Sequence, residues 1–147
     1  MNRIEDSLQQ ECIVLFRSQY PLLWEKRLFF AVPNGQKREV KQNKNGEWYC
    51  PGGNRSKAMG EMPGVSDMIL LVPNQQYSFL CIEFKKKELV RDKNGKLVWK
   101  YGVQTKEQKE FQASVEEVGG LYKLIYEADV FMELINTYLL TKKIKQW

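Results

Sequence analysis

The stretch that decides the fold is Gly64-Val65-Ser66-Asp67-Met68-Ile69-Leu70-Leu71-Val72, read together with Leu80-Cys81-Ile82-Glu83-Phe84-Lys85. Both stretches have the short apolar run of a buried β-strand. Both also carry charge where a buried strand normally has none, because Asp67 begins the first and Glu83 and Lys85 lie in the second. Two carboxylates are hard oxygen ligands that suit Mg²⁺, and a lysine can sit beside an attacking water. The two strands therefore indicate a metal-dependent phosphodiesterase site.

The composition is typical of one globular domain. The chain has 147 residues, of which 43% are hydrophobic and 28% charged, and this length can bury a single core without crosslinks. We therefore expect one domain over residues 1–147. No unbroken apolar run is longer than Met68 to Val72, which is too short to cross a membrane. The N-terminus lacks the apolar core of a signal peptide, so we expect a cytoplasmic protein.

The sequence contains no histidine. Its absence excludes histidine-based acid–base chemistry, Ser-His-Asp triads and most zinc hydrolases. The three cysteines, Cys12, Cys50 and Cys81, include no close pair, and so predict neither a disulfide framework nor a zinc site. Any catalysis must use carboxylates, lysine, hydroxyl groups, cysteine or a bound metal.

Hydrophobic periodicity predicts an α/β protein with a central mixed β-sheet flanked by helices. Two Asn-Gly pairs, at 45–46 and 94–95, predict hairpin turns. A short helical piece is expected over 55–59. The main predicted elements are a helix over 4–19, strands over 27–32, 67–72 and 77–85, a helix over 105–118, a strand over 121–126 and a helix over 129–140.

Strand alternation places the charges of the second stretch together. Glu83 and Lys85 project from the same face, about 7 Å apart at roughly 3.3 Å per residue. If the two strands pair as a hairpin, Asp67 lies near Glu83 at one end of the sheet. Because the motif is short, a lone Glu-x-Lys would by itself favour a structural ion pair at the end of a strand.

The helices add two polar residues to the expected site. On a helical wheel Glu11 falls between Ile4 and Val14, inside the apolar stripe of the first helix. Gln108 borders the stripe of the helix over 105–118. We expect these two side chains to converge with Asp67, Glu83 and Lys85, although each alone could be a polar residue at the edge of a stripe.

Positive charge is concentrated in two polar segments, one from Lys37 to Lys57 and the other from Lys85 to Lys100. The net charge of +5 permits a polyanionic partner without requiring one. Trp48, Tyr49, Trp99 and Tyr101 are interleaved with the basic residues, and this mixture suits phosphate contacts combined with base stacking. Within these segments we expect DNA contacts from Lys37, Arg38, Lys57, Lys86 and Lys87.

The ordered set of motifs resembles the VRR-NUC family of the PD-(D/E)XK nuclease superfamily, over about residues 11–126. No single piece is specific, but the order is. The matching pieces are helical Glu11, Val32-Pro33-Asn34-Gly35, Lys57-Ala58-Met59-Gly60, Pro63-Gly64-Val65-Ser66-Asp67, Ile82-Glu83-Phe84-Lys85, Thr105-x-x-Gln108-x-x-Phe111 and Gly119-Gly120.

The resemblance implies a restriction-endonuclease-like core, in the order αβββαβ with a C-terminal helix, and a Mg²⁺- or Mn²⁺-dependent DNA endonuclease. By the same resemblance, Lys85 would orient or deprotonate the water and Gln108 would support water or phosphate. The implied metal ligands are Asp67, Glu83, the main-chain carbonyl of Phe84 and, possibly through water, Glu11.

Stand-alone domains of this type, from bacteriophages and bacteria, resemble Holliday-junction resolving enzymes that act as homodimers. A branched DNA substrate, a homodimer and a location in a bacterial cell or phage-infected host are therefore implied by the resemblance. Two alternatives remain open from the sequence. One is a branched-DNA-binding module that keeps the fold without turnover, and the other is an unrelated α/β protein whose Asp and Glu-x-Lys coincide.

The chain departs from the family pattern at two places. Ser66 stands where the family usually has proline, and we expect little effect because that residue shapes the backbone. The stretch 86–102 is longer than the usual link between Glu-x-Lys and the glutamine-bearing helix. Its hairpin carries Trp99 and the earlier hairpin carries Trp48, and each hairpin would either grip DNA or build the dimer.

Overall fold

The computed structural model describes residues 3–33 and 40–141. Helices in this part of the chain are α1 (Arg3–Gln19), α2 (Pro21–Glu25), α3 (Pro51–Ala58), α4 (Lys106–Glu117) and α5 (Ala128–Leu140). Strands are β1 (Phe29–Ala31), β2 (Lys41–Gln42), β3 (Trp48–Tyr49), β4 (Met68–Leu70), β5 (Leu80–Phe84), β6 (Lys87–Arg91), β7 (Leu97–Tyr101) and β8 (Leu121–Ile125).

A mixed sheet of four strands, in the order β1-β4-β5-β8, forms the centre of the fold. Strand β4 pairs antiparallel with both β1 and β5, and Met68 lies opposite Ile82. Strand β8 pairs parallel with β5 after a crossover through α4, as parallel neighbours require. The predicted fold class, a mixed sheet flanked by helices, is confirmed.

The two faces of the sheet pack against different helices. Leu80, Ile82 and Phe84 of β5 enter the main core, which is built with residues of α1 and α5. Cys81 projects to the opposite face, into a smaller cluster with Val115 of α4 and Tyr122 of β8. This alternation is the one predicted from the sequence, and it leaves the end of β5 facing the start of α4.

Two hairpins stand apart from the central sheet. Strands β2 and β3 pair around Asn45-Gly46, and β6 and β7 pair around Asn94-Gly95. Both turn glycines have positive φ, +82° at Gly46 and +76° at Gly95, a conformation that favours glycine. Both predicted hairpins are therefore confirmed, and the second emerges directly from the charged end of β5.

Helix α2 is the element that the sequence analysis missed. Pro21 marks the end of α1, as expected, but it also occupies the first turn of α2, where a missing N–H has no cost. In residues 3–33 and 40–141 no helix is long and apolar enough to cross a membrane.

Candidate active site

A closed triangle of side chains joins the end of β5 to the first turn of α4. The Nζ atom of Lys85 lies 2.9 Å from Oε1 of Glu83 and donates to Oε1 of Gln108 at 2.8 Å. The Nε2 atom of Gln108 in turn donates to Oε1 of Glu83. The structure thus brings together three of the five residues predicted to form the site.

Asp67 is the fourth predicted residue at this place. The antiparallel register of β4 and β5 brings Asp67 opposite Glu83, and Oδ2 of Asp67 accepts a hydrogen bond of 2.8 Å from the main-chain N–H of Phe84. All of these groups line one cleft of about 560 Å³ at this end of the sheet. The hydrogen bond fixes one carboxylate oxygen and holds the side chain beside the end of β5.

The sequence around α4 explains why Gln108 points at this cleft. Thr105 and Gln108 form a capping box, in which Oγ1 of Thr105 accepts from the N–H of Gln108 and Oε1 of Gln108 accepts from the N–H of Thr105. The same Oε1 therefore caps the helix and receives the Lys85 ammonium. A motif that begins the helix also fixes the geometry of the site.

Gly64 brings the loop before β4 against the start of α4. Its φ is +82°, and a Cβ there would lie 2.5 Å from the carbonyl carbon of Glu107. Only glycine fits such an approach between two main chains. In the same loop, the buried hydroxyl of Ser66 donates to the carbonyl of Met68 at 3.3 Å, so serine is satisfied at the position where the family pattern has proline.

Burial makes the site electrostatically costly without a cation. Desolvation, together with the negative charge of Asp67, raises the pKa of Glu83 to about 7 against the lowering effect of Lys85. Desolvation also raises the pKa of Asp67, against the lowering effect of the Phe84 N–H and of Lys85. Both carboxylates are at least nine-tenths buried, and charged groups in such surroundings need a compensating partner.

The donor set fits a hard cation. The Oε2 atom of Glu83 is buried and has no hydrogen-bond partner among the described residues. The cleft is lined by more carboxylates than lysines, so it would repel a phosphate in the absence of bound cations. The carboxylates are those of Glu5, Glu61, Asp67, Glu83 and Glu107, and the lysines are Lys57 and Lys85.

Two carboxylates, rather than a larger acidic cage, define this candidate metal centre. Across residues 3–33 and 40–141, no group of three or more His, Cys, Asp or Glu side chains is arranged to hold a metal ion. Mg²⁺ is commonly held by one or two carboxylates and completes its shell with water and substrate oxygens. Asp67 and Glu83 meet that requirement.

The prediction that Glu11 joins this site is wrong. Glu11 is exposed and lines a different cleft, between α1 and the start of α5. The helical-wheel prediction for Glu11 treated Ile4 and Val14 as core residues, but these two side chains are 42% and 64% exposed. The buried stripe of α1 instead contains Leu8, Cys12 and Phe16.

Glu5 is the α1 carboxylate that lines the cleft. It lies three residues before Leu8 and seven before Cys12, so it extends the buried stripe by one turn. Its Oε1 accepts a hydrogen bond of 3.0 Å from the N–H of Lys86, and its charge raises the pKa values of both Asp67 and Glu83. The spacing to Leu8 and Cys12 is a signal that could have found it in the sequence.

The predicted DNA-binding residues fall in different surroundings. Lys57, in the last turn of α3, is exposed and lines the cleft. The ammonium of Lys86 pairs with Glu88, and that of Lys87 pairs with Glu127 while lying over the Trp99 ring. Lys37 and Arg38, like Asn34 and Gly35 of the Pro-Asn-Gly motif, lie outside the described residues.

The fold matches a known structure, whereas the comparisons with family models and with curated proteins give no match. A solved structure described as a VRR_NUC domain protein is similar, with a TM-score of 0.64 and 20% identity, over 92% of this chain and 88% of that chain. The sheet, the flanking helices and the charged strand end define a restriction-endonuclease-like α/β domain. Within that class the chain has the VRR-NUC fold, as the sequence resemblance predicted.

Proposed function

We propose that the chain belongs to the VRR-NUC nucleases and is a metal-dependent DNA endonuclease that hydrolyses phosphodiester bonds. One observation carries the proposal: Asp67 and Glu83 are buried side by side in an acidic cleft, and Oε2 of Glu83 has no hydrogen-bond partner within residues 3–33 and 40–141. Such an arrangement weakens the fold unless a cation compensates it. The shared fold supports the proposal independently.

The residues that would hold Mg²⁺ or Mn²⁺ are Asp67, Glu83 and the main-chain carbonyl of Phe84. Glu5 replaces Glu11 as the carboxylate of α1 that completes the shell, through a bound water. When bound, the cation polarises the scissile phosphate, lowers the pKa of a bound water and offsets negative charge in the transition state.

Lys85 and Gln108 act around the attacking water. The ammonium of Lys85 is fixed by Glu83 and Gln108, so it can hold a water or a phosphate oxygen without first reorganising. Gln108 is a positioning residue, because its amide both caps α4 and binds Lys85. Lys57, which lines the cleft, would contact the DNA backbone.

Branched DNA is the substrate that we propose, with a homodimer as the working form. Both proposals rest on the family resemblance rather than on the described contacts. Flaps expose unpaired bases and four-way junctions interrupt base stacking at the branch point, so the exposed rings of Trp48 and Trp99 suit such DNA better than a uniform duplex.

The test is cleavage of end-labelled four-way junction, flap and blunt duplex DNA with Mg²⁺, Mn²⁺ or EDTA. We expect cutting in either metal, none in EDTA and none by Glu83→Ala. The matched control is Glu11→Ala, which removes the same group from an exposed position outside the cleft. Tight binding of a junction without cutting in any metal would favour the binding module, and full activity in Glu83→Ala would overturn the site.

A further inference from the structure

The β6–β7 hairpin is inserted between two parts of the candidate site. It begins directly after Lys85 and ends shortly before the capping box that contains Gln108. At its base the N–H of Gly102 donates to the carbonyl of Lys86 at 2.8 Å, and the hydroxyl of Tyr126 donates to the carbonyl of Gly102 at 2.9 Å. Both ends of the hairpin therefore lie beside the candidate site.

The tip of the hairpin is ordered and presents two lysines. The Asp92 carboxylate accepts from the N–H groups of Asn94 and Lys96, and Arg91 donates to the carbonyl of Gly95 at 2.8 Å. Lys93 and Lys96 are both exposed, and in the described part of the chain neither forms an ion pair with a carboxylate. Two ammonium groups are thus presented to solvent on a defined turn.

One face of the hairpin carries four exposed aliphatic and aromatic side chains. The cross-strand pairs Leu89–Trp99 and Arg91–Leu97 share this face with Lys87–Tyr101. Leu89, Leu97, Trp99 and Tyr101 each retain about half of their accessible surface, and Trp99 is 55% exposed. The Lys87 ammonium lies 4.6 Å from the Trp99 ring centroid, and its pairing with Glu127 anchors the hairpin to the domain. The rings are therefore held in place before any partner binds.

We propose that the β6–β7 hairpin is a DNA-binding arm that selects substrates with unpaired bases next to the cleaved phosphate. Lys93 and Lys96 contact backbone phosphates, and the exposed ring of Trp99 stacks on an unpaired base. The arm's position beside the chemistry rests on the proposed nuclease function, but its DNA binding can be measured separately. Aromatic rings accept any base, so the arm recognises DNA structure rather than sequence.

Charge favours DNA over a second copy of the chain as the occupant of this face. Residues 86–101 contain six basic side chains and two acidic ones. Two such hairpins placed against each other would repel, whereas a polyanion is attracted. A two-stranded ribbon also has dimensions that DNA grooves accept. The basic residues are Lys86, Lys87, Arg91, Lys93, Lys96 and Lys100, and the acidic ones are Glu88 and Asp92.

The phosphate contacts are tested by the salt dependence of DNA binding. DNA binding is measured by the fluorescence anisotropy of labelled DNA. Ca²⁺ is used in place of Mg²⁺ because it takes similar oxygen ligands. For a blunt duplex and for a flap, we expect Lys93→Ala/Lys96→Ala to reduce the slope of log affinity against log salt by about 2. Lys123→Ala, which removes a charge from an exposed position on β8 outside the cleft, should leave the slope unchanged.

The stacking contact is tested with Trp99→Leu, which keeps an apolar side chain on the hairpin. We expect about tenfold weaker binding of the flap and unchanged binding of the blunt duplex. Trp99→Phe should recover most of the loss, and this recovery would exclude simple misfolding of the hairpin.

Three results would overturn the proposal. If the wild type binds DNA and these variants have unchanged slopes and affinities, the hairpin does not bind DNA. The proposed nuclease function would be unaffected by that result. Conversion of a wild-type dimer to a monomer by Trp99→Leu, measured by sedimentation, would make the hairpin a self-association surface. Failure of the wild type to bind any of these DNAs would contradict both the role of the hairpin and the proposed nuclease function.

Discussion

The two faces of β5 are equally buried and serve opposite purposes. On one face Leu80, Ile82 and Phe84 enter the main core, and none is more than 1% exposed. On the other face Glu83 and Lys85 are also almost wholly buried, at 3% and 8% exposed. Burial alone therefore does not distinguish a residue that stabilises the fold from one that we assign to chemistry.

The difference lies in what burial does to each side chain. Each apolar group gains roughly 25 cal/mol for every Å² removed from water. A buried carboxylate loses hydration, which raises the pKa of Glu83. Only hydrogen-bonding or charged partners offset this free-energy cost. The apolar face should therefore control stability and the charged face should control activity.

The largest effect is expected at Glu83. Glu83→Gln keeps the shape of the side chain and removes its charge, so we expect cleavage to fall by at least about a thousandfold because a metal ligand is lost. The measurement is single-turnover cleavage of a labelled junction, with DNA binding and circular dichroism as checks on folding. A loss of less than about tenfold would contradict the assignment.

On the apolar face the effect should appear in stability instead. Ile82→Ala leaves a cavity between the sheet and its covering helices, and we expect the free energy of unfolding in urea to fall by about 2–5 kcal/mol. Cleavage per folded molecule, measured well below the melting temperature, should stay within about threefold of wild type. The comparison between the faces fails if Ile82→Ala abolishes cleavage while the protein remains folded.

The third prediction compares two glutamates of one helix. Glu5→Gln keeps an acceptor for the Lys86 N–H but removes a charge from the cleft, so we expect about 10–100-fold slower cleavage and weaker metal binding. Glu11→Gln makes the same chemical change on the exposed side of α1 and should have no effect. Equal rates in the two variants would show that α1 contributes nothing to the site.

The smallest expected effect is the pH dependence of stability without metal. Glu83 holds its proton more tightly in the folded chain, since its pKa rises to about 7 from an ordinary 4.5. Between these values the unfolded chain loses the proton first, so the free energy of unfolding falls as the pH rises from 4.5 to 7. We expect Glu83→Gln to flatten this decline, by about 3 kcal/mol at most. Parallel curves of urea unfolding against pH for the two proteins would contradict the raised pKa.

Much of the fold follows from local sequence signals. The apolar strands β4 and β5, the Thr105 capping box and both Asn-Gly turns are each specified by a few adjacent residues. The strand alternation also places Glu83 and Lys85 correctly, because a period of two leaves only two faces to choose between.

The misassigned residue and the missed helix depend on tertiary packing. An amphipathic helix can present several overlapping stripes, and contacts with α5 and β5 decide which stripe of α1 is buried. Ile4 and Val14 are apolar but exposed, so a helical wheel centred on them selected Glu11 instead of Glu5. Pro21 is compatible with both the end of one helix and the start of the next, and only the packing of Leu23 in the core decides for α2.

The account's central claim is that the charged face of β5 is built to hold a divalent cation. The most direct test is Mn²⁺ binding by the purified protein, followed by electron paramagnetic resonance, for wild type, Glu83→Gln and Glu11→Gln. We predict that the wild type and Glu11→Gln bind Mn²⁺ equally and that Glu83→Gln loses this binding. Mn²⁺ binding that is absent from the wild type, or unchanged in Glu83→Gln, would contradict the claim.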